Sequence, residues 1–344
     1  MEFLTCFAVG RTKQAITSLL PSARAHLRRM SSCEPKVLVC VTDGSEPLVA
    51  KSLSDAGMNV ATLDEIEDPS TTQFAVLFQH PHGTLKRFSN LKGIQLTAAG
   101  ADSVFSDRDF PRNVPVARLV EPVMGERMAD WVLWGVLNSH RDMDFYYKAQ
   151  MDRRWVGNVD HEYARSDDFS VGIMGLGALG TAVAKKIRGA GYSVRGWSKS
   201  LKSMEGVDSF HGQDQLLDFV RGCNFLVCLL PLTKDTKGIV SREVLSVLPK
   251  GSTFMNAGRG DLAKEEDLLW ALDEGHVKHC ILDVFSQEPL PESSRLWAHP
   301  GVRITPHVAA LSPTVAFTAK IMENYRRCLN GEKMLNTVDF ESGY

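Results

Sequence analysis

The sequence has no apolar run near the ~18 residues that a membrane-spanning helix needs, and no internal repeat or low-complexity block. It has seven cysteines, Cys6, Cys33, Cys40, Cys223, Cys228, Cys280 and Cys328, and no two of them form a Cys-x-x-Cys pair. Their number is odd. Cys40, Cys228 and Cys280 sit inside apolar, strand-like runs, where cysteine acts as a small hydrophobe. This pattern fits a reducing compartment without a disulfide framework. Metal-ligand spacing is also missing, since His276 and His279 lie close together without cysteine or carboxylate partners at ligand intervals. A formal net charge of −2 gives no general attraction to nucleic acid or to an anionic membrane.

What remains is the composition of a globular protein, 44% hydrophobic and 23% charged, in a 344-residue chain too long for one simple core. The first 34 residues differ. They carry Arg11, Lys13, Arg24, Arg28 and Arg29, several Ser and Thr, and only two acids, Glu2 and Glu34. A mitochondrial or plastid transit segment has this composition; so would a disordered tail, or an extension ahead of a second start at Met30. Mitochondrial and cytoplasmic locations both stay open.

From Lys36 the chain alternates. Strands read at Lys36–Val41, Met58–Thr62, Gln73–Phe78, Gly93–Thr97 and Val114–Arg118, with a helix from Glu46 to Ala56 ended by Gly57. A long helical stretch follows from about Gly125 to Met151. Its Met128, Trp131, Val132, Trp134 and Leu137 suit either an oligomer interface or interdomain packing. A second alternating run gives six strands, at Phe169–Met174, Ser193–Trp197, Asn224–Leu230, Thr253–Asn256, Cys280–Val284 and Val302–Thr305. Helices read at Lys264–Glu274 and Thr314–Leu329. The fold class is α/β, and the second run suits a doubly wound dinucleotide-binding domain.

The first strand of that run leads straight into Gly175-Leu176-Gly177-Ala178-Leu179-Gly180 and then a helix with Leu179, Val183 and Ile187 on one stripe. Three glycines at this spacing permit a tight turn, close approach of pyrophosphate to the backbone, and close packing of helix on strand. The next strand ends Trp197-Ser198-Lys199-Ser200, with Arg195 and Lys202 nearby, and no acid occurs between Gly175 and Glu205. NAD enzymes place an acid there for the ribose 2′-hydroxyl. Hydroxyls and a positive charge suit a 2′-phosphate instead, hence NADPH, unless the loop is merely a solvated basic turn. Three later strand ends carry Arg259, Glu288 and His307. Arg binds a carboxylate with its planar fork, His can protonate a developing alkoxide, and Glu can orient the imidazole and favour its charged form.

The turn G-L-G-A-L-G, with N-A-G-R-G, D-V-F-S-Q-E-P-L-P and T-P-H-V-A-A, resembles the D-isomer-specific 2-hydroxyacid dehydrogenase family over about Lys36 to Tyr344. Gly196–Ser200, Met124-Gly125-Glu126 and Gly343-Tyr344 are similar to its glyoxylate/hydroxypyruvate reductase subgroup. The resemblance implies NADPH-dependent reduction of small 2-keto acids by a homodimer. It implies a Rossmann cofactor domain at 123–307 and a smaller flavodoxin-like substrate domain from 36–122 and 308–344, with 1–35 as an extension. It assigns catalysis to Arg259, Glu288 and His307. Asp283 and Ala309 fall near the nicotinamide amide, Leu230, Pro231 and Leu232 fall along adenosine, and Ala257 and Gly258 belong to the cofactor site. Ala99, Gly100 and Ala101 fall on the substrate carboxylate. Phe78 either bounds the substrate pocket or packs in the core. Two alternatives remain: another D-2-hydroxyacid dehydrogenase, and a non-catalytic nucleotide-sensing module like the family's corepressors. Formate dehydrogenases typically have Gln where Glu288 stands.

Overall fold

The computed structural model describes residues 36–157, 165–341 and 343. The N-terminal extension and its transit-like composition lie outside the described residues. By internal contacts the chain forms two compact units. One runs up to Leu119 and takes in Phe317–Val338; the other holds Val120–Ala316 and the stretch from Asp339 onward.

The first unit is built on five parallel strands: β1 (Lys36–Val41), β2 (Val60–Thr62), β3 (Thr72–Phe78), β4 (Gly93–Leu96) and β5 (Val116–Ala117). Their order is β2-β1-β3-β4-β5, the flavodoxin-like arrangement. Val37–Val41 and Phe74–Leu77 are buried throughout, because a parallel sheet covered on both faces tolerates no polar alternation. Helices α1 (Glu46–Asp55) and α2 (Asp102–Ser106) belong to this unit. Helix α9 (Thr314–Leu329) returns to it near the C-terminus. There the buried Asn324 donates to the Gln95 side chain at 2.7 Å, and its own carbonyl accepts the Leu335 N–H.

The second unit holds a seven-stranded parallel sheet made of β6 (Ser170–Met174), β7 (Ser193–Ser198), β8 (Asp208–His211), β9 (Phe225–Cys228), β10 (Ser252–Asn256), β11 (Val277–Leu282) and β12 (Val302–Ile304). Its order, β12-β11-β10-β9-β6-β7-β8, is the doubly wound one, with the switch between β6 and β9. Period-two alternation divides the core. Ile173, Phe225, Val227, Met255 and Ile281 face α3 (Pro122–His140) and α5 (Ala178–Gly189). Leu226, Cys228, Phe254, Cys280 and Leu282 face the other side, toward α6 (Leu216–Arg221), α7 (Arg242–Ser246) and α8 (Glu265–Asp273).

Two sequence expectations need correction here. The sheet has a seventh strand, β8, at its edge; its Asp208 and His211 are exposed, so it carries little hydrophobic signal. The single long helix is two, α3 and α4 (Met143–Met151), broken where Asp142 adopts φ +49°. Ion pairs fix the break: Lys278 reaches Asp142 at 2.8 Å, and Arg303 holds Asp144 through both Nε and Nη2.

Candidate active site

The glycine turn follows β6. Gly175 has φ +102°, and a Cβ there would stand 3.0 Å from the Leu229 carbonyl oxygen. A Cβ on Gly180 would overlap the Gly175 carbonyl, so turn and helix can close only on glycine. Gly177, by contrast, would meet nothing within 4 Å. It caps α5 without any side-chain hydrogen bond, and Ala178 beside it is exposed. The first N–H groups of a 12-residue helix are thus left to an incoming anion, which fits pyrophosphate. Leu179 packs on the core. The loop Leu230–Leu232 follows β9, and Ala257-Gly258 follows β10; a Cβ on Gly258 would come within 2.7 Å of the Leu230 carbonyl oxygen. The ends of β6, β9 and β10 therefore converge.

The next loop behaves less simply. Trp197 turns its side chain inward, 3% exposed, and donates its indole N–H to Gly212. Ser198 is also buried, and its hydroxyl donates to the Ser200 carbonyl at 2.7 Å. Arg195 points away, donating to the carbonyls of Asp218 and Phe219 and stacking 4.5 Å from the Phe210 ring centroid. Lys199 and Ser200 are the exposed polar groups of the loop, and Lys199 pairs with Asp235 at 3.1 Å.

Arg259, Glu288 and His307 all lie beyond strand C-termini of this unit. Asn256, buried at the end of β10, accepts the Gly258 N–H and donates to the Arg259 carbonyl, which fixes the Arg259 turn. A Cβ on Gly260 would overlap the Phe285–Ser286 peptide, so the Arg259 turn lies directly on the segment that carries Glu288. Gly260→Ala is expected to force those two segments apart. Thermal denaturation should show a lowered Tm, and activity should fall more than Tm alone accounts for; an unchanged Tm and rate would mean the crossing has slack.

Glu288 Oε2 sits 2.7 Å from His307 Nδ1, and its Oε1 accepts the Phe285 N–H at 2.9 Å. Burial works to raise the Glu288 carboxyl. The hydrogen bonds from His307 and Phe285, with the charges of His307 and Arg259, outweigh that and hold it below its ordinary value. His307 itself has φ +55°, a left-handed conformation. Asp283 holds it there. Its carbonyl accepts the His307 N–H, and its buried carboxylate accepts from the Thr305 hydroxyl, the Val308 N–H and the Ala309 N–H. Asp283 and the buried Ala309 thus shape the turn that presents the imidazole.

In the first unit, Ala99 and Gly100 are half-buried and Ala101 is buried just before α2, with the Ala99 carbonyl accepting from Arg118. Phe78, half-buried, ends β3. Just beyond it, buried His80 lies 3.3 Å from buried Asp107, which also accepts the Gly83 N–H. Sequence alone does not single out Asn256 or Asp235. Asn256 stands in N-A-G-R-G, where the signal was available; Asp235 stands in an unremarkable polar loop. Among the described residues no group of three metal-binding side chains occurs, and no helix is long and apolar enough to cross a membrane.

A doubly wound sheet with a bare glycine turn and a His–Glu pair at its strand ends defines a dinucleotide-dependent dehydrogenase fold. Residues 133–309 match the family model of the D-isomer specific 2-hydroxyacid dehydrogenase, NAD binding domain. A glyoxylate/hydroxypyruvate reductase A of Klebsiella pneumoniae subsp. pneumoniae is 40% identical over 273 residues, 78% of this chain and 86% of that protein. A D-isomer specific 2-hydroxyacid dehydrogenase from Xanthobacter autotrophicus Py2, solved with NADPH and MES, has a TM-score of 0.84 at 38% identity, covering 90% of this chain and 100% of that one. An NADPH-dependent glyoxylate/hydroxypyruvate reductase from Sinorhizobium meliloti, solved with NADP and sulfate, has a TM-score of 0.83 at 32% identity, with the same coverage. This chain belongs to the D-isomer specific 2-hydroxyacid dehydrogenase family.

Proposed function

We propose that this chain reduces small 2-keto acids with NADPH, glyoxylate to glycolate and hydroxypyruvate to D-glycerate. The observation that carries the reading is the 2.7 Å contact of His307 Nδ1 with Glu288, set against the Arg259 turn. NADPH, when bound, supplies the hydride. Gly175, Gly177, Ala178, Leu179 and Gly180 would hold its pyrophosphate at the start of α5, Leu230, Pro231 and Leu232 would line adenosine, and Ala257, Gly258, Asp283 and Ala309 would lie toward nicotinamide. Lys199 and Ser200 would meet the 2′-phosphate. Arg259 takes the substrate carboxylate with its guanidinium fork and draws charge toward the adjacent carbonyl oxygen. The bond to Glu288 leaves His307 Nε2 to carry the proton, which passes to that oxygen as the carbonyl carbon is reduced. By the family resemblance, Ala99, Gly100 and Ala101 would offer backbone N–H groups to a carboxylate, and Phe78 would limit substrate size.

The family resemblance also leads us to propose a homodimer. Trp134, Leu137 and Tyr147, exposed along α3 and α4, offer the apolar face for it.

The test is NADPH and NADH oxidation by the purified chain with glyoxylate, hydroxypyruvate, pyruvate and phenylpyruvate. Turnover should favour the first two acids. One or two charge-assisted hydrogen bonds to the phosphate, at about 1.5–3 kcal/mol each, give roughly a ten- to thousand-fold preference for NADPH in kcat/KM. Binding of NADPH without turnover of any keto acid would instead indicate a nucleotide-sensing module. Faster reduction of phenylpyruvate would indicate a different hydroxyacid dehydrogenase.

A further inference from the structure

The Lys199 ammonium is met by a carboxylate from a neighbouring strand end. Lys199 lies just past β7 and Asp235 in the loop after β9, with Nζ 3.1 Å from Oδ2. Both side chains are largely exposed, at 74% and 69%. An exposed pair of this kind contributes little to stability, so the ammonium can turn to a better anion. Asp235 springs from a fixed loop. Its backbone sits in a turn closed by the Thr236 N–H donating to the Thr233 carbonyl. The Thr236 hydroxyl fastens that turn, accepting from the Thr233 N–H at 2.8 Å and donating to the Pro231 carbonyl at 2.6 Å. Lys237, two residues on, is paired with Asp261 at 3.0 Å and so does not cancel the Asp235 charge.

A phosphate that contacts Lys199 must then share one ammonium with this carboxylate. Two anions on one ammonium, each at about 2.8 Å along tetrahedral N–H directions, bring their contacting oxygens roughly 4–5 Å apart. At that distance a carboxylate and a phosphate repel each other in partly exposed surroundings. A ribose 2′-hydroxyl carries no charge and meets no such opposition.

We propose that Asp235 is a specificity-determining residue that moderates the grip on the 2′-phosphate, by occupying Lys199 and by placing a negative charge beside the phosphate. The proposal rests on the reading that the Lys199 loop receives the 2′-phosphate of NADPH. It assigns to the loop after β9 a part in cofactor choice, alongside the loop after β7.

The experiment is calorimetric titration of NADPH and NADH, without substrate, into the full-length wild type, Asp235→Asn, Lys199→Ala and the double variant. Asp235→Asn is isosteric and on the surface, and an unchanged Tm will confirm that it folds as the wild type does. Its Kd for NADPH should fall about three- to tenfold, its Kd for NADH should stay within about twofold, and added salt should narrow the NADPH change. An unchanged or raised Kd for NADPH in Asp235→Asn overturns the proposal. If Lys199→Ala still weakens NADPH binding in that case, the loop does read the phosphate and only the role of Asp235 falls. If wild type binds both cofactors equally and Lys199→Ala changes neither, the reading of the loop itself fails, and the role of Asp235 with it.

Discussion

Replacing His307 by alanine is expected to cut kcat for glyoxylate reduction by roughly 10²–10⁴, the range associated with losing a positioned general acid. Cofactor binding should persist, because the glycine turn and the Lys199 loop make no use of the imidazole. A kcat near that of the wild type would remove His307 from the mechanism. Glu288→Gln gives a separate reading of the same pair. It removes the carboxylate that meets Nδ1 at 2.7 Å and so the group that orients the ring, and kcat for glyoxylate should fall while NADPH binding persists. The Glu288 carboxyl is held below its ordinary value of 4.5, so it remains a carboxylate through neutrality. What that depressed carboxyl adds to stability is complete above about pH 4.5 and is lost as the pH falls through its lower folded value.

Arg259→Ala should have the next largest effect, a fall of roughly 10²–10³ in kcat/KM for glyoxylate, comparable to deleting a donor that polarises a reacting carbonyl. Arg259→Lys keeps the charge but loses the planar fork, and it should recover only a small part of that loss. Asn256 makes the comparison sharper. Since it bonds the Arg259 backbone on both sides of the turn, the Lys variant keeps its backbone placement and differs in the head group. Full activity in Arg259→Lys would show that a point charge suffices; full activity in Arg259→Ala would move the carboxylate site elsewhere. Steady-state kinetics with glyoxylate varied at saturating NADPH decide between these outcomes.

Much of this is legible in the sequence. The glycine turn was readable because each glycine answers a local backbone demand, as the Gly175 φ and the Gly180 contact illustrate. The buried strands were readable because parallel sheets are written as unbroken apolar runs, as in Lys36–Val41. The less legible features depend on neighbours distant in sequence. Strand β8 is ordered by its partner β7, with Trp197 opposite Phe210, and its own pattern is mixed. The break at Asp142 is held by Lys278, 136 residues away. Ser198 and Lys199 read alike as donors for a phosphate, yet one hydroxyl turns back onto the chain and the other side chain pairs with a carboxylate 36 residues on. Asp283 reads as a candidate contact for nicotinamide, whereas the described geometry gives its carboxylate three donors from the His307 turn.

The first unit leaves its own chain at Leu119 and is rejoined only at Phe317. During synthesis the five strands are made early, but the partner for the Gln95 side chain, Asn324, emerges more than 200 residues later. Until then a buried amide lacks its acceptor's donor, which is costly in a closed core. The doubly wound unit suffers no such delay in its sheet, since β6 through β12 follow one another without interruption by the other unit. On the ribosome the nucleotide-binding half can therefore settle first, while the earlier half waits for Asn324.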